Sequence, residues 1–242
     1  MINLFSNVSR LLLIIFFLVV SSVSKAQDTL VADSLLYTMN FDELFGLDQN
    51  LINGRRYVPA YPLAPGHPYL YEDEFQTGTI TVCGVKYFNV RLKFNINEQR
   101  IVMEYTSRNG GKDHLLLNNH LIDQFEISDR LFKKLELTGL QPQFYQIITS
   151  GNLTLLYFWK KNLVLNSGSS RSYYKYSGQF RVSHLLVGQN IYKLKRRKSF
   201  YALIPPDIIK EIKFYVRDNN IDIKSAGDEQ MRLLLDKWQE LL

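Results

Sequence analysis

Over residues 88–96 every second side chain is apolar. Phe88, Val90, Leu92, Phe94 and Ile96 alternate with Asn89, Arg91, Lys93 and Asn95. Successive side chains of an extended chain point to opposite sides, so this period of two predicts a strand with one buried face. Asn97, Glu98 and Gln99 read as a turn, after which Ile101, Met103 and Tyr105 resume the alternation. Asn109, Gly110 and Gly111 mark a second turn, because Asn and Gly tolerate positive φ. Short strands are expected over residues 114–117 and 121–127.

The same grammar continues downstream. Ser150, Gly151 and Asn152 separate two apolar runs, residues 144–149 and 153–164, which is a hairpin signal. Leu153, Leu155, Tyr157 and Trp159 form one face of the second run. Leu156 and Phe158 make its other face partly apolar, as in a central or covered strand. Residues 166–172 are rich in Ser and Gly and read as a loop. Further strands are expected over residues 173–176, 179–186 and 190–195.

Near the C-terminus the period changes. Ile208, Ile209, Ile212, Tyr215 and Val216 recur at helical spacing after Pro205, Pro206 and Asp207. Met231, Leu234, Leu235, Trp238, Leu241 and Leu242 form a second helical stripe, preceded by Ser225 and Asp228 at capping-box spacing. The expected fold class is mainly β, within α+β: an antiparallel β-rich body with two C-terminal amphipathic helices.

The N-terminus has the order of a secretory signal peptide. Arg10 precedes an apolar run over residues 11–20, and Ser24, Lys25 and Ala26 place small residues at −3 and −1 before Gln27. A membrane span needs about 20 continuous apolar residues, and Ser21 and Ser22 break this run first. The mature chain is therefore expected to begin at Gln27, to be exported to the periplasm or cell surface, and to have no transmembrane segment after signal removal. Cys83 is the only cysteine, so no internal disulfide can form. Its apolar, strand-like surroundings predict a buried structural thiol.

The expected organisation is a signal peptide over residues 1–26 and an acidic, Pro-rich arm over residues 27–77. A β-rich core over residues 78–204 and a helical pair over residues 205–242 follow. Pro59, Pro62, Pro65 and Pro68 make part of the arm extended, since proline fixes φ and removes a donor. Tyr57, Tyr61, Tyr69 and Tyr71 offer it apolar area with which to pack on its own domain.

Charge is distributed unevenly. Loss of Arg10 and Lys25 with the signal lowers the net charge from +6 to +4, because no acid leaves with them. Residues 137–206 contain no acid at all, and within them Lys193, Lys195, Arg196, Arg197 and Lys198 lie beside Tyr192, Phe200 and Tyr201. Clustered cations raise the local concentration of anions, so these five are the candidate anion-binding residues. The expected partners are an anionic glycan, a lipid head group or an envelope protein, and not nucleic acid. A cluster of this kind also serves as a charged edge that discourages aggregation, or as a surface that meets the acidic arm.

Catalytic signatures are missing. His67, His114, His120 and His184 are scattered, without an HExxH motif or a cysteine pair, so neither a metal nor a cofactor is expected. His114 and His120 could meet across a hairpin, but they read as surface residues. Ser172, Tyr173, Tyr174 and Lys175 match Ser-x-x-Lys, a motif that works from a helix, whereas this segment is strand-like. Asp42, Glu43, Glu72, Asp73 and Glu74 supply carboxylates but read as a solvated face.

Several segments carry a resemblance. Gly66-His67-Pro68-Tyr69-Leu70, Phe75-Gln76-Thr77-Gly78-Thr79-Ile80, the run YFNVRLKFN over residues 87–95, FYQII over residues 144–148 and Gly151-Asn152-Leu153 resemble a group of uncharacterised exported β-rich proteins of Gram-negative bacteria. The resemblance implies export and one compact domain, and assigns no activity and no site. The functional expectation is a non-enzymatic exported envelope protein with a binding or structural role. The alternative is a secreted hydrolase acting on envelope or dietary polymers. Mass spectrometry of protein recovered from a Gram-negative host should find the N-terminus at Gln27; a membrane-bound chain starting at Met1 would contradict the signal peptide.

Overall fold

The structure, a computed structural model, describes residues 48, 51–107, 110–136, 142–167 and 173–242. The expected signal peptide, the acidic residues Asp42 and Glu43, Asn109 of the second turn and Ser172 lie outside the described residues. The chain divides into a unit spanning Met1–Gln49 and a unit spanning Asn50–Leu242. The second carries all the elements that follow.

The body is an antiparallel sheet. Its strands are β1 (Arg55–Arg56), β2 (Gln76–Val82), β3 (Val85–Asn95), β4 (Arg100–Thr106), β5 (Lys112–Leu116), β6 (Ile122–Ile127), β7 (Arg130–Leu135), β8 (Gln143–Ser150), β9 (Leu153–Lys160), β12 (Phe180–Val187) and β13 (Asn190–Leu194). The spatial order is β1-β5-β4-β3-β2-β6-β7-β8-β9-β12-β13. Between β9 and β12 in the chain, β10 (Leu163–Leu165) and β11 (Tyr174–Tyr176) form a separate two-stranded sheet. The expectation of a mainly β fold with C-terminal helices holds.

The sheet curls, and aromatic packing shows by how much. Phe94 of β3 lies 6.2 Å from Phe144 of β8, ring centre to ring centre. Four strand spacings of about 4.8 Å would hold these strands about 19 Å apart in a flat sheet. Phe125 and Phe132 stack at 4.8 Å between them. Curling also brings the β3–β4 turn to the end of β9, where Gln99 Nε2 donates to the Trp159 carbonyl at 2.8 Å and Asn97 Nδ2 to that of Lys161 at 2.9 Å. A register shift in β2 between Gly78 and Ile80 supplies part of the bend. Gly78 is required there, because a Cβ would collide with the Glu126 carbonyl oxygen of β6.

Helices α1 (Arg197–Tyr201), α2 (Ile209–Asp218) and α3 (Asp228–Glu240) follow the sheet. Ile212 and Val216 of α2, and Met231, Leu234, Leu235 and Trp238 of α3, are buried in the same hydrophobic cluster as the inner face of the sheet. Phe200 of α1 meets Trp238 edge-on at 5.6 Å. Gln239 near the end of α3 accepts the Asn152 N–H at 3.0 Å, which fixes that helix to the β8–β9 turn. Among the described residues no helix is long and apolar enough to cross a membrane.

The described part of the Pro-rich arm docks on the outer face of β3–β5. Tyr57 N–H donates to the His114 carbonyl at 2.8 Å, Leu70 N–H to that of Phe94 at 2.9 Å, and Ile96 N–H to that of Pro68 at 3.0 Å. Tyr69 packs with Val102 and Leu116 in a second small cluster. Lys93 lies 4.7 Å from the Tyr69 ring centre and 4.5 Å from that of Phe75, and it pairs with Asp73 at 2.6 Å.

Four local expectations need correction. The thiol of Cys83 is exposed rather than buried. Cys83 and Gly84 have φ of 48° and 80°, and they form the turn between β2 and β3. Positive φ at both central residues is the type I′ geometry, whose backbone follows the sheet twist, so Cys83 sits at the tip of the hairpin rather than in a strand. Strand β7 was not expected, because Arg130, Lys133 and Lys134 mask its alternation; Ser128 and Asp129, at φ 48° and 58°, make the turn into it. The run over residues 153–164 is interrupted after Lys160, where Lys161 turns inward to donate to the His67 carbonyl at 3.1 Å. The N-cap of α3 is Gly227, not Ser225, whose hydroxyl bonds Asp222 instead. A bulky maleimide should label Cys83 in the native protein within minutes; a thiol protected until denaturation would contradict its placement in the turn.

Candidate functional site

The five cations picked out by the sequence do not form one face. Lys193 pairs in register with His184, at the edge strand β13. Burial and the nearby Lys193 charge both push the His184 imidazole below its ordinary pKa, burial the more strongly. Lys198 is exposed on α1. Lys195, Arg196 and Arg197, by contrast, line a cavity of about 120 Å³.

The segment turns from strand to helix at this point, which accounts for the split. Arg196 is extended, at φ −146°, and Ser199 folds back on it: the Arg196 N–H donates to Ser199 Oγ at 3.1 Å. Arg197 then reaches along α1, where its guanidinium donates to the Tyr201 hydroxyl at 3.2 Å. Among the described residues no carboxylate lies within ion-pair distance of any of the five cations. Asp222 feels Arg197 at longer range; the Ser225 hydroxyl and the Lys224 N–H hold its exposed carboxyl below the usual carboxylate range.

Two more cations complete the lining, Arg181 of β12 and Lys224 of the loop between α2 and α3. Tyr157 and Ser183 stand beside them, opposite each other in the β9–β12 register. Neither Arg181 nor Lys224 was selected from the sequence. Arg181 lies well upstream of the basic cluster, and only the pairing of β12 with both β9 and β13 brings it there. The arm's carboxylates, expected as possible neighbours of the cluster, are engaged elsewhere in the case of Asp73, which pairs with Lys93.

Arg181 is held by a polar clamp. Its Nη2 donates to the Ala226 carbonyl at 2.6 Å, and its Nη1 stands 3.7 Å from Asp228 Oδ1. The other Asp228 oxygen accepts Arg130 Nε at 2.7 Å and Gln146 Nε2 at 2.9 Å. Gln146 in turn accepts Trp159 Nε1 at 2.6 Å. So held, the guanidinium lies over the Tyr157 ring, 3.9 Å from its centre, in a cation–π contact. Tyr157 is 1% exposed. Burial pushes its phenol well above the ordinary value, and its buried hydroxyl has no hydrogen-bond partner among the described residues.

The remaining candidates have structural surroundings. His114 packs on Phe75 at 4.7 Å between ring centres and lies 3.7 Å from Glu104, rather than meeting His120. His67 stacks on Tyr69 and contacts Lys161. Among the described residues no group of three or more His, Cys, Asp or Glu is placed to hold a metal ion. Lys175 of the Ser-x-x-Lys match lies in β11, opposite Val164. Comparison with protein-family models, with curated proteins and with solved structures finds no match.

Replacing Asp228 with Ala should lower the unfolding free energy by about 3 kcal/mol, because Arg130 and Arg181 lose their shared, half-buried carboxylate. Urea denaturation measures it, and a change of less than about 0.5 kcal/mol, the range of an ordinary surface substitution, would contradict the clamp.

Proposed function

We propose that the chain is a non-enzymatic exported envelope protein that contacts an anionic glycan or lipid head group through Lys193, Lys195, Arg196, Arg197 and Lys198. The observation that carries this reading is the convergence of Lys195, Arg196 and Arg197 with Arg181 and Lys224 around one cavity whose lining contains no carboxylate. Unpaired cations gathered at one place attract anions more strongly than the same charges dispersed. The exposed ring of Tyr192 beside them adds apolar area for contact. Export to the periplasm or cell surface, and a place among the exported β-rich proteins of Gram-negative bacteria, belong to the same proposal. They rest on residues 1–26 and on the shared segments described above. A hydrolase would need paired carboxylates facing a cleft, and this cavity supports binding instead.

Replacement of Lys195, Arg196, Arg197 and Lys198 by Gln should sharply reduce retention on liposomes containing phosphatidylglycerol or on lipopolysaccharide. Retention of the parent protein should fall as salt rises, since exposed charges are screened within about 8 Å at physiological ionic strength. The melting temperature should hardly change, as the four residues have no ion-paired partner among the described residues. Unchanged retention, or a large loss of stability, would overturn the reading.

A further inference from the structure

We propose that the far end of the β10–β11 hairpin and the adjoining part of the Pro-rich arm form a membrane-docking surface, which inserts Leu63, Leu165 and Tyr173 into the interface of an anionic lipid bilayer. This surface uses none of residues 193–198, so it goes beyond the anion-binding reading.

The hairpin stands apart from the main sheet, and the arm holds one end of it. Tyr176 N–H donates to the Pro65 carbonyl at 3.0 Å, and Asn162 and Ser177 bond each other across the base. Leu163 and Tyr176, paired at that base, are half-buried. Two residue pairs further on, Leu165 lies opposite Tyr174, whose ring meets Tyr61 of the arm edge-on at 5.4 Å. The covering ends there: Leu165 is 75% exposed, Tyr173 85% and Leu63 of the arm 77%. Single exposed apolar residues are ordinary on a protein surface. A group of them on two adjoining segments marks an interaction site.

Charge selects the occupant. Residues 55–66 and 163–176 contain no acid, while Arg55, Arg56 and Lys175 supply cations. The Glu98 carboxylate is felt at Tyr176, the base of the hairpin. Anionic head groups attract cations placed beside a membrane surface. Tyrosine settles at the level of the head groups, where one end of the side chain is apolar and the other wet. Leucine adds the apolar area that carries insertion. A glycan would need flat aromatic faces to stack on, and Leu63 and Leu165 offer none.

The test uses the full mature chain and vesicles of phosphatidylcholine and phosphatidylglycerol. A polarity-sensitive dye attached through Leu165→Cys, in a Cys83→Ser background, should shift to the blue when vesicles are added and be quenched by nitroxide-bearing lipids. The same dye on the native Cys83 thiol, in the turn at the other end of β3 from the arm, should do neither. At about 1 M salt exposed charges are screened within about 3 Å, so the partitioning that remains is apolar. Replacing Leu63, Leu165 and Tyr173 together with Ser should weaken that remainder about tenfold or more. The melting temperature should hardly change, since all three side chains are exposed. At saturating lipid the blue shift should survive replacement of residues 195–198 by Gln, so failure of the anion-binding reading leaves this surface to be judged by its own variants. No blue shift at residue 165, or a triple Ser variant that partitions like the parent, would overturn the proposal. So would a concentration-dependent dimer that the three substitutions abolish, with no shift on vesicles, since the occupant would then be a second copy of the chain.

Discussion

One carboxylate ties the helical end of the chain to the sheet. Asp228 stands in the first turn of α3 and receives Arg130 from β7, Gln146 from β8 and, at longer range, Arg181 from β12. An acid at this position also complements the positive end of the helix dipole. The arrangement recruits strands that are not all neighbours: β9 lies between β8 and β12 in the sheet. It therefore depends on the curl that brings the inner face around α3. Breaking a shared carboxylate of this kind strands the cations that it serves, whereas burying apolar groups in their place would not. The apolar contacts of Met231, Leu234, Leu235 and Trp238 supply the bulk of the attachment, and the carboxylate sets its register.

Two aromatic–cation arrangements on opposite faces show how differently the same ingredients are used. On the outer face Lys93 is enclosed by Tyr69 and Phe75 and neutralised by Asp73. All partners come from the arm and the strand beneath it, so that site is closed and holds the arm in place. On the inner face Arg181 covers Tyr157, but the neighbouring Lys195, Arg196, Arg197 and Lys224 have no carboxylate within ion-pair distance among the described residues. One arrangement is closed by its own carboxylate, and the other has no carboxylate in its lining.

The local elements were largely legible. The alternation through Leu92 and Phe94 marked β3, the Ser150–Asn152 turn marked the β8–β9 hairpin, and the stripe through Leu234 and Trp238 marked α3. Strand β7 was not legible, because a charged strand lacks a clean apolar alternation even when Phe132 is fully buried. The short helix α1 was hidden in the basic run, which carries no apolar periodicity. Cys83 was misjudged because an apolar neighbourhood in sequence says nothing about which residue occupies a tight turn.

For the candidate site, residues 193–198 were identifiable as a cluster of cations, since charge density is a property of the chain itself. The same holds for the period of each segment, its turn residues and its helical stripes, all of which follow from backbone geometry over a few residues. Tertiary structure alone decided which of those cations face a common cavity. It also brought Arg181 and Lys224 to it, buried Tyr157 beneath the Arg181 guanidinium, and sent the Asp73 carboxylate to Lys93. Each of these depends on strand order and on the curl of the sheet. Those are set by contacts between residues far apart in the chain, and no local pattern encodes them.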